Sequence, residues 1–348
     1  MAQFHSLKIK SILRQTDKAV SITFEVPTAL KADFAFTAGQ YITLKTVIDT
    51  KEIRRDYSLS SSPQSESLTV TVKEIENGVF SSYANTQLKT GDTLEVGTPN
   101  GRFIYDPKTD ASNTIVAFAA GSGITPIMSI ARTVLETDSK FVLIYGNKSP
   151  KETIFYDEIL KLQTLHSNRF MVQFVYSETD EKNALFGRID SGNVQYILKN
   201  KIAINNSQKI YLCGPEGMIN TVNGILTEKG VEASKVLFEL FTASEVKSTS
   251  TSTNEGDSNI TILVDEEETT LVMSQKQTIL EAALANDLDV PYSCQGGVCS
   301  SCICRVTEGT ATMRQNNILT DNEVAEGLVL SCQAEPTSTS IKVDFDDI

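Results

Sequence analysis

Four of the chain's six cysteines, Cys294, Cys299, Cys302 and Cys304, fall within the stretch CQGGVCSSCIC, while Cys213 and Cys332 stand far from it. Sulfur packed that tightly serves a disulfide scaffold, a metal or redox centre, or packing alone. Long cysteine-free stretches count against a scaffold. A zinc site would want two short-spaced pairs or supporting histidines, and the chain has only His5 and His166. Four residues separate Cys294 from Cys299, two separate Cys299 from Cys302, and twenty-nine separate Cys302 from Cys332; this spacing suits a [2Fe–2S] cluster. A loop that wraps thiolates round two irons needs a backbone free of Cβ collisions, which Gly296 and Gly297 provide. Ser293, Ser300 and Ser301 offer hydroxyls to the sulfurs. Cys304 falls outside the spacing and reads as packing on the outgoing strand.

Such a cluster moves one electron at a time, whereas a nicotinamide delivers two as a hydride. A flavin converts one into the other, so the chain upstream is where a flavin site and a nicotinamide site belong. Three stretches have the chemistry. RRDYSLSSSP holds Arg55, Tyr57 and Ser58, and NGVFSSY places Gly78 and Ser81 at the start of a short helix, where backbone N–H groups favour phosphate. AAGSGITP sets Gly121, Gly123 and Thr125 between a strand and a helix. YLCGPEGM puts Cys213, Gly214 and Pro215 at a strand end, and LFELF closes the same region with Glu239 and Phe241. Each is weak alone: Gly-x-Gly is common, and the six-position dinucleotide fingerprint is absent.

The elements that must position these residues fall into blocks. Period-two alternation in SLKIKSILR, AVSITFEV, QYITLKTV and SLTVTVKEI makes residues 1–108 a β domain, a barrel or a sandwich. Over residues 109–241 the apolar runs TIVAFA, FVLIYG, FMVQFVY and KIYLCG alternate with helical spacing, the pattern of a parallel α/β sheet. Residues 242–258 are dominated by Ser and Thr and read as a flexible linker. The final block, 259–348, offers a hairpin, a helix capped by Thr278, the cysteine loop, a helix opened by Thr320 and Glu323 in capping-box spacing, and the closing strand SIKVDF.

The chain has 348 residues and a formal charge of −13, and residues 259–348 carry 15 Asp and Glu against 4 Lys and Arg, a net of −11. That acidity argues against nucleic acid and favours a docking partner with a basic face, or solubility alone. The N-terminal MAQFHSLKIKSILR has no signal-peptide pattern, and the apolar run over 115–131 is broken by GSG and Pro126, so no membrane span is expected and the protein reads as cytoplasmic.

Residues 260–348, with PYSCQGGVCSSC and LSCQA, resemble a plant-type ferredoxin, and the upstream motifs in their order resemble the ferredoxin-NADP reductase family. The resemblance implies three domains: a flavin-binding antiparallel β-barrel, an α/β nicotinamide-binding domain and a C-terminal α+β ferredoxin of the β-grasp type. It implies that Cys294 and Cys299 hold one iron, and Cys302 and Cys332 the other. It further implies that Arg55 pairs with flavin phosphate, that Tyr57 covers the isoalloxazine, that Ser58 bonds near its N5, and that Gly78 and Ser81 cradle the pyrophosphate. By the same resemblance Gly121, Gly123 and Thr125 are expected to form the nicotinamide loop, Cys213, Gly214 and Pro215 to lie beside the nicotinamide ring, and Glu239 and Phe241 to approach from the side where it enters. Ser58, Cys213 and Glu239 are the catalytic candidates. No motif marks an adenine contact, which leaves FMN open beside FAD.

For the donor, NKSPKE after FVLIYG places Lys148, Ser149 and Lys151 ahead of the first acid, favouring the 2′-phosphate of NADPH over NADH. The expected acceptor is an oxygenase component, a di-iron enzyme of aromatic-acid catabolism first and a Rieske ring-hydroxylating oxygenase as the alternative. A redox sensor holding a cluster without turnover is the rival of another class, and the hydride-site motifs count against it.

Overall fold

The computed structural model describes residues 4–108, 110, 114–204, 209–241 and 256–347, which form two compact units, one over 4–241 and one from 256 onward. Most of the expected linker, 242–255, lies outside the described residues.

The first unit begins with an antiparallel sheet of β1 (Phe4–Thr16), β2 (Ala19–Glu25), β3 (Tyr41–Ile48), β4 (Lys51–Ser58), β5 (Leu68–Lys73) and β6 (Thr93–Gly97), in the order β4-β3-β6-β1-β2-β5. A bridge between Leu59 and Val70 joins the two ends, so the sheet curls into a barrel. The alternation read in the sequence is the alternation of burial: Leu7, Ile9, Val20, Ile22, Ile42, Leu44, Val70 and Val72 point into one apolar core. Helix α1 (Val79–Thr86) adds Phe80 and Ala84 to that core.

A parallel sheet follows, built from β7 (Thr114–Ala120), β8 (Lys140–Asn147), β9 (Phe170–Tyr176), β10 (Leu185–Phe186), β11 (Lys209–Cys213) and β12 (Val236–Glu239) in the order β10-β9-β8-β7-β11-β12. Its helices are α2 (Ile124–Leu135), α3 (Tyr156–Leu165), α4 (Ser191–Asn200) and α5 (Glu216–Glu228). The near-continuous apolar runs of β7 and β8 are those of strands covered on both faces. The barrel and this sheet share a core. Ala19, Ala38, Phe103 and Tyr105 pack with Ile127, Ile130 and Ala131 of α2, and Tyr211 of β11 stands edge-on to Phe103 and donates its hydroxyl to Ile104 O at 2.8 Å.

The second unit is a mixed sheet of β13 (Asp257–Val264), β14 (Glu267–Ser274), β15 (Ile303–Glu308), β17 (Leu328–Leu330) and β19 (Ser340–Asp344), in the order β14-β13-β19-β15-β17. A small hairpin pairs β16 (Ala311–Met313) with β18 (Ala334–Pro336). Helices α6 (Ile279–Ala285) and α7 (Asp321–Ala325) both open on complete capping boxes, Thr278 with Glu281 and Thr320 with Glu323. Strand β13 starts at Asp257, inside the stretch read as linker. Ser258 belongs to the fold because its buried hydroxyl donates to Ser338 O at 2.6 Å and accepts from Gln275 at 3.1 Å.

Candidate active site and cluster loop

The parallel sheet reverses its winding between β7 and β11, which lie side by side while β8 continues on the far side of β7. Ligands of open α/β sheets bind at such a point, beyond the carboxyl ends of the strands. The loops arriving there are Gly121–Gly123 after β7 and Gly214–Pro215 after β11. Their glycines do different work. A Cβ on Gly123 would stand 2.2 Å from Cys213 O and 2.8 Å from Gly214 N, so Gly123 lets the two loops touch instead of opening space for a phosphate. Gly121 has a left-handed φ of 55°, and a Cβ there would have Lys73 Nζ at 3.7 Å as its sole neighbour within 4 Å. Gly121 is therefore the position that leaves room for a ligand. The loop is held by Tyr145, whose hydroxyl donates to Gly121 O at 3.0 Å, and by Thr125, whose hydroxyl donates to Ser122 O at 3.1 Å.

Three strand ends meet beside these loops. Ser58 closes β4, Cys213 closes β11 and Glu239 closes β12, with Cys213 and Glu239 in direct parallel register. Ser58 Oγ donates to Glu239 Oε2 at 3.2 Å. Burial pushes the Glu239 carboxyl up to about 8, reinforced by the charge of Asp56 and opposed by the Ser58 hydrogen bond. Burial, with Glu239 adding to it, also raises the Cys213 thiol well above its ordinary range. The site thus holds a neutral acid, a neutral thiol and a hydroxyl. Phe241 follows Glu239 by two residues and is 39% exposed, so it faces out of the core.

On the barrel side, Arg55 is exposed on β4 and donates through Nη1 to Arg54 O at 2.6 Å. Tyr57 packs against Phe80 of α1 at 5.4 Å between ring centroids, and burial raises its phenol above its ordinary value. Ser81 does not present a free hydroxyl to a phosphate. It accepts from Ile75 N at 3.2 Å and donates to Gly78 O at 3.3 Å, and a Cβ on Gly78 would meet Ser81 Oγ at 2.2 Å. Gly78 and Ser81 shape the turn into α1, and an exposed guanidinium, a covered aromatic ring and a helix start fit a flavin carrying phosphate.

Two residues here escape a reading by motif. Lys73 ends β5 in a run that looks like ordinary strand alternation, yet its ammonium reaches Gly121, and burial lowers its pKa. Glu178 follows β9, and the register of Asn147 with Tyr176 sets the segments after β8 and β9 side by side. Glu178 N donates to Lys148 O at 3.0 Å, and its carboxylate pairs with Lys148 Nζ at 3.2 Å, so the cation expected at the 2′-phosphate is already countered. Ser149 caps the short turn Pro150–Glu152 with extended backbone.

In the second unit, Cys294 Sγ lies 3.0 Å from Cys299 Sγ and accepts from Gly296 N at 3.4 Å. Hydrogen bonds from Cys299 and Cys332 pull the Cys294 thiol below the usual range, Cys332 likewise lowers Cys302, and the same bonds raise Cys332. Sulfur contacts join Cys294 to Cys299 and Cys332, and Cys332 to Cys302, so four thiols from one loop and one distant turn come together. That donor set fits two bridged irons. Gly297, at φ 67°, packs where a Cβ would meet Gln333 at 2.9 Å, the Ser331 hydroxyl bonds to the Cys302 thiol, and the buried Ser293 hydroxyl has no partner among the described residues. Cys304 is fully buried in the sheet core opposite Val329, the packing position expected of it.

Comparison with known proteins agrees with each part. Residues 7–105 match the oxidoreductase FAD-binding domain, 118–224 the oxidoreductase NAD-binding domain and 262–337 the 2Fe-2S iron-sulfur cluster binding domain. Among solved structures, phthalate dioxygenase reductase superposes over 98% of both chains with a TM-score of 0.63 and 26% identity. Fold, site and cluster loop define an NAD(P)H-dependent oxidoreductase that passes electrons from a pyridine nucleotide through FAD to a [2Fe–2S] centre. The chain is 36% identical, over 99% of both chains, to one of the subunits of the 1,2-phenylacetyl-CoA epoxidase of Escherichia coli. It is 31% identical to the ferredoxin reductase component of 3-ketosteroid-9-alpha-monooxygenase of Rhodococcus rhodochrous, over 97% of this chain and 96% of that one. It belongs to this family of oxygenase reductase components. No helix among the described residues is long and apolar enough to cross a membrane.

Proposed function

We propose that the protein is the reductase of a phenylacetyl-CoA epoxidase, taking electrons from NADPH and delivering them singly to the oxygenase component. The observation that carries the catalytic reading is the meeting of Ser58, Cys213 and Glu239 at the switch point of the sheet; the full-length match to the Escherichia coli protein supports the acceptor. FAD, when bound, accepts the hydride's two electrons together and yields them one at a time.

The chain's residues supply the placement. Arg55 and the start of α1 hold the flavin phosphates, Tyr57 covers the ring, and Ser58 places its hydroxyl beside the nitrogen that receives the hydride. Gly121, Lys73 and Thr125 receive the nucleotide's phosphates, with Gly123 fixing Cys213, Gly214 and Pro215 beside the nicotinamide. Glu239, protonated at neutral pH, gives the ring a polar neighbour without a second negative charge. Phe241 covers the entry side. Lys148 and Ser149 receive the 2′-phosphate. Cys294, Cys299, Cys302 and Cys332 hold the cluster, and the domains divide as 1–108, 109–241, a linker from 242 to about 256 and the cluster domain from Asp257 onward.

The test is reconstitution. Purified protein with its flavin and iron, NADPH and the oxygenase component of a phenylacetyl-CoA epoxidase should form epoxide, while a Rieske oxygenase should receive few electrons. The reverse preference would replace the acceptor with the Rieske class, and failure to oxidise NADPH or NADH with ferricyanide present would remove the enzyme reading.

A further inference from the structure

Helix α2 starts at the nucleotide loop and ends by holding the flavin strand. Ser129 and Arg132 on one of its faces, with Glu136 at its C-cap, meet three consecutive residues that begin two positions beyond Ser58. Ser129 Oγ donates to Ser61 O at 2.7 Å, and the hydroxyl is fully buried. Arg132 donates through Nη1 to Ser60 O. Ser62 Oγ donates to Glu136 Oε1 at 2.9 Å.

The middle contact is itself held. Arg132 presents Nε and Nη2 to both carboxylate oxygens of Glu158 on α3, at 2.8 and 2.7 Å, and its guanidinium lies 5.3 Å from the centre of the Phe155 ring. A planar fork bound on two edges has one orientation left, and in that orientation the remaining N–H reaches Ser60 O. Ser60 is anchored in turn: its N–H donates to Thr69 O at 2.8 Å, and its hydroxyl shares a bond with Thr71 at 3.1 Å.

Sequence distances make this contact mechanical. Ser129 is six residues past Gly123, about 9 Å along a helix. A rigid helix held at that point transmits any shift of the held turn to the loop at its start. The other end of the contact is two residues from Ser58. The same hydrogen bonds therefore tie the residue proposed at the flavin to the loop proposed at the nicotinamide.

We infer that Ser129 and Arg132 form a latch that sets the approach of nicotinamide to flavin, with Arg132 as its positioning residue oriented by Glu158. None of these residues touches the reacting atoms. The inference rests on the proposed roles of Ser58 and the Gly121–Gly123 loop, and it adds residues outside them. Hydride transfer is steep in distance, and a displacement of about 1 Å can cost about a hundredfold in rate.

The test uses the full-length protein carrying FAD and cluster, and the variants Ser129→Ala, Arg132→Lys and Glu158→Gln. Stopped-flow reduction of the flavin at saturating NADPH should slow by about tenfold in Arg132→Lys and by about threefold or more in the other two. Nucleotide dissociation constants and flavin content should stay near wild type, and the primary isotope effect with C4-deuterated donor should rise. Hydrogen exchange should quicken together in residues 60–62 and 124–135 of each variant. A lowered Tm with wild-type reduction rate and isotope effect at saturation would reduce the contact to a structural one and overturn the inference. Quickened exchange in α2 alone would overturn the latch. Wild-type protein that no nucleotide reduces would instead remove the functional reading, and exchange in the two segments would still report whether the latch exists.

Discussion

Ser58 and Glu239 lie 181 residues apart and share a hydrogen bond of 3.2 Å that joins the barrel's flavin strand to the edge strand of the nucleotide sheet. The bond gives Glu239 a hydroxyl donor that favours its charged form, and burial outweighs it, pushing the carboxyl up to about 8 from the usual 4.5. The folded protein then keeps a proton that the unfolded chain gives up near pH 4.5. Stability associated with this group is intact below pH 4.5 and is lost progressively as pH rises to about 8.

The first expectation follows from that titration. Flavin reduction at saturating NADPH should decline on an alkaline limb centred near pH 8, because an ionised Glu239 sets a negative charge where the neutral acid belongs. Glu239→Gln should lose the limb, keep a rate at pH 7 near that of wild type because the amide is likewise a neutral polar neighbour, and gain thermal stability over wild type between pH 6 and 8. A limb that persists unchanged in the variant assigns it to another group.

Division of the chain gives a second expectation. A fragment ending at residue 245 contains the whole unit of residues 4–241, and should bind FAD and reduce ferricyanide with NADPH while losing delivery to the oxygenase. A cut at 108 should not give two soluble halves, since Phe103 and Tyr105 belong to the core packed on α2. Soluble, flavin-binding material from residues 1–108 alone would contradict that shared core.

How much of this is legible in the sequence depends on the distance between partners. The barrel alternation, the apolar parallel strands, both capping boxes and the cysteine loop are local patterns, and the structure shows each where its pattern lies. Ser58, Cys213 and Glu239 are reached through resemblance, because nothing in residues 58 and 239 announces that their side chains touch. Gly123 has the look of a phosphate glycine, since loop spacing does not reveal that Cys213 O fills the place of its Cβ. Ser81 has the look of a phosphate ligand because its own loop's N–H and carbonyl groups, which use up the hydroxyl, are invisible to a motif. Glu178 and the α2 latch depend on register between strands and on a helix crossing a turn, and both are properties of the assembled fold.

The cluster loop separates its cysteines by role. Serine at Cys294, Cys299, Cys302 or Cys332 should abolish iron binding and the visible spectrum. Cys304→Ser should retain both and cost about 1–3 kcal/mol of unfolding stability by placing a hydroxyl in an apolar core. Iron content and denaturant melts of the five variants check this, and loss of the cluster from Cys304→Ser would show that the ligand set is wrong.

Donor preference should turn on the Lys148–Glu178 pair. In the proposed reading Lys148 is the cation offered to a 2′-phosphate, and Glu178 holds it at 3.2 Å. Lys148→Ala should lower the ratio of kcat/KM for NADPH over NADH by about tenfold, the worth of one charge-assisted hydrogen bond. Glu178→Gln should raise the same ratio, because the lysine is then free to turn to the phosphate. If the two substitutions leave the ratio unmoved, the 2′-phosphate lies elsewhere.

Delivery to the acceptor should be governed by charge. Residues 259–348 carry a net of −11, so encounter with a basic face is steered at low salt and weakens as the Debye length shrinks to about 8 Å near 0.15 M. The acids at the chain's end are less suited to contact than their position suggests. Asp346 accepts from Asp265 N at 3.0 Å and Glu266 N at 2.9 Å, Asp344 accepts from the N–H groups of Asp346 and Asp347, and Asp347 pairs with Arg305 at 3.0 Å. Asp346 alone of the three holds the turn between β13 and β14, beside which Glu266 and, at the start of β14, Glu267 stand exposed. Raising NaCl from about 0.05 to 0.5 M should lower oxygenase-coupled turnover by about tenfold and ferricyanide reduction by less than about twofold, since the tether keeps internal transfer at high effective concentration. The double variant Glu266→Gln, Glu267→Gln should show a shallower salt dependence with its cluster spectrum unchanged, whereas Asp346→Asn should loosen the turn and lower Tm. Coupled turnover indifferent to salt would remove the electrostatic account of docking and leave the electron path through flavin and cluster in place.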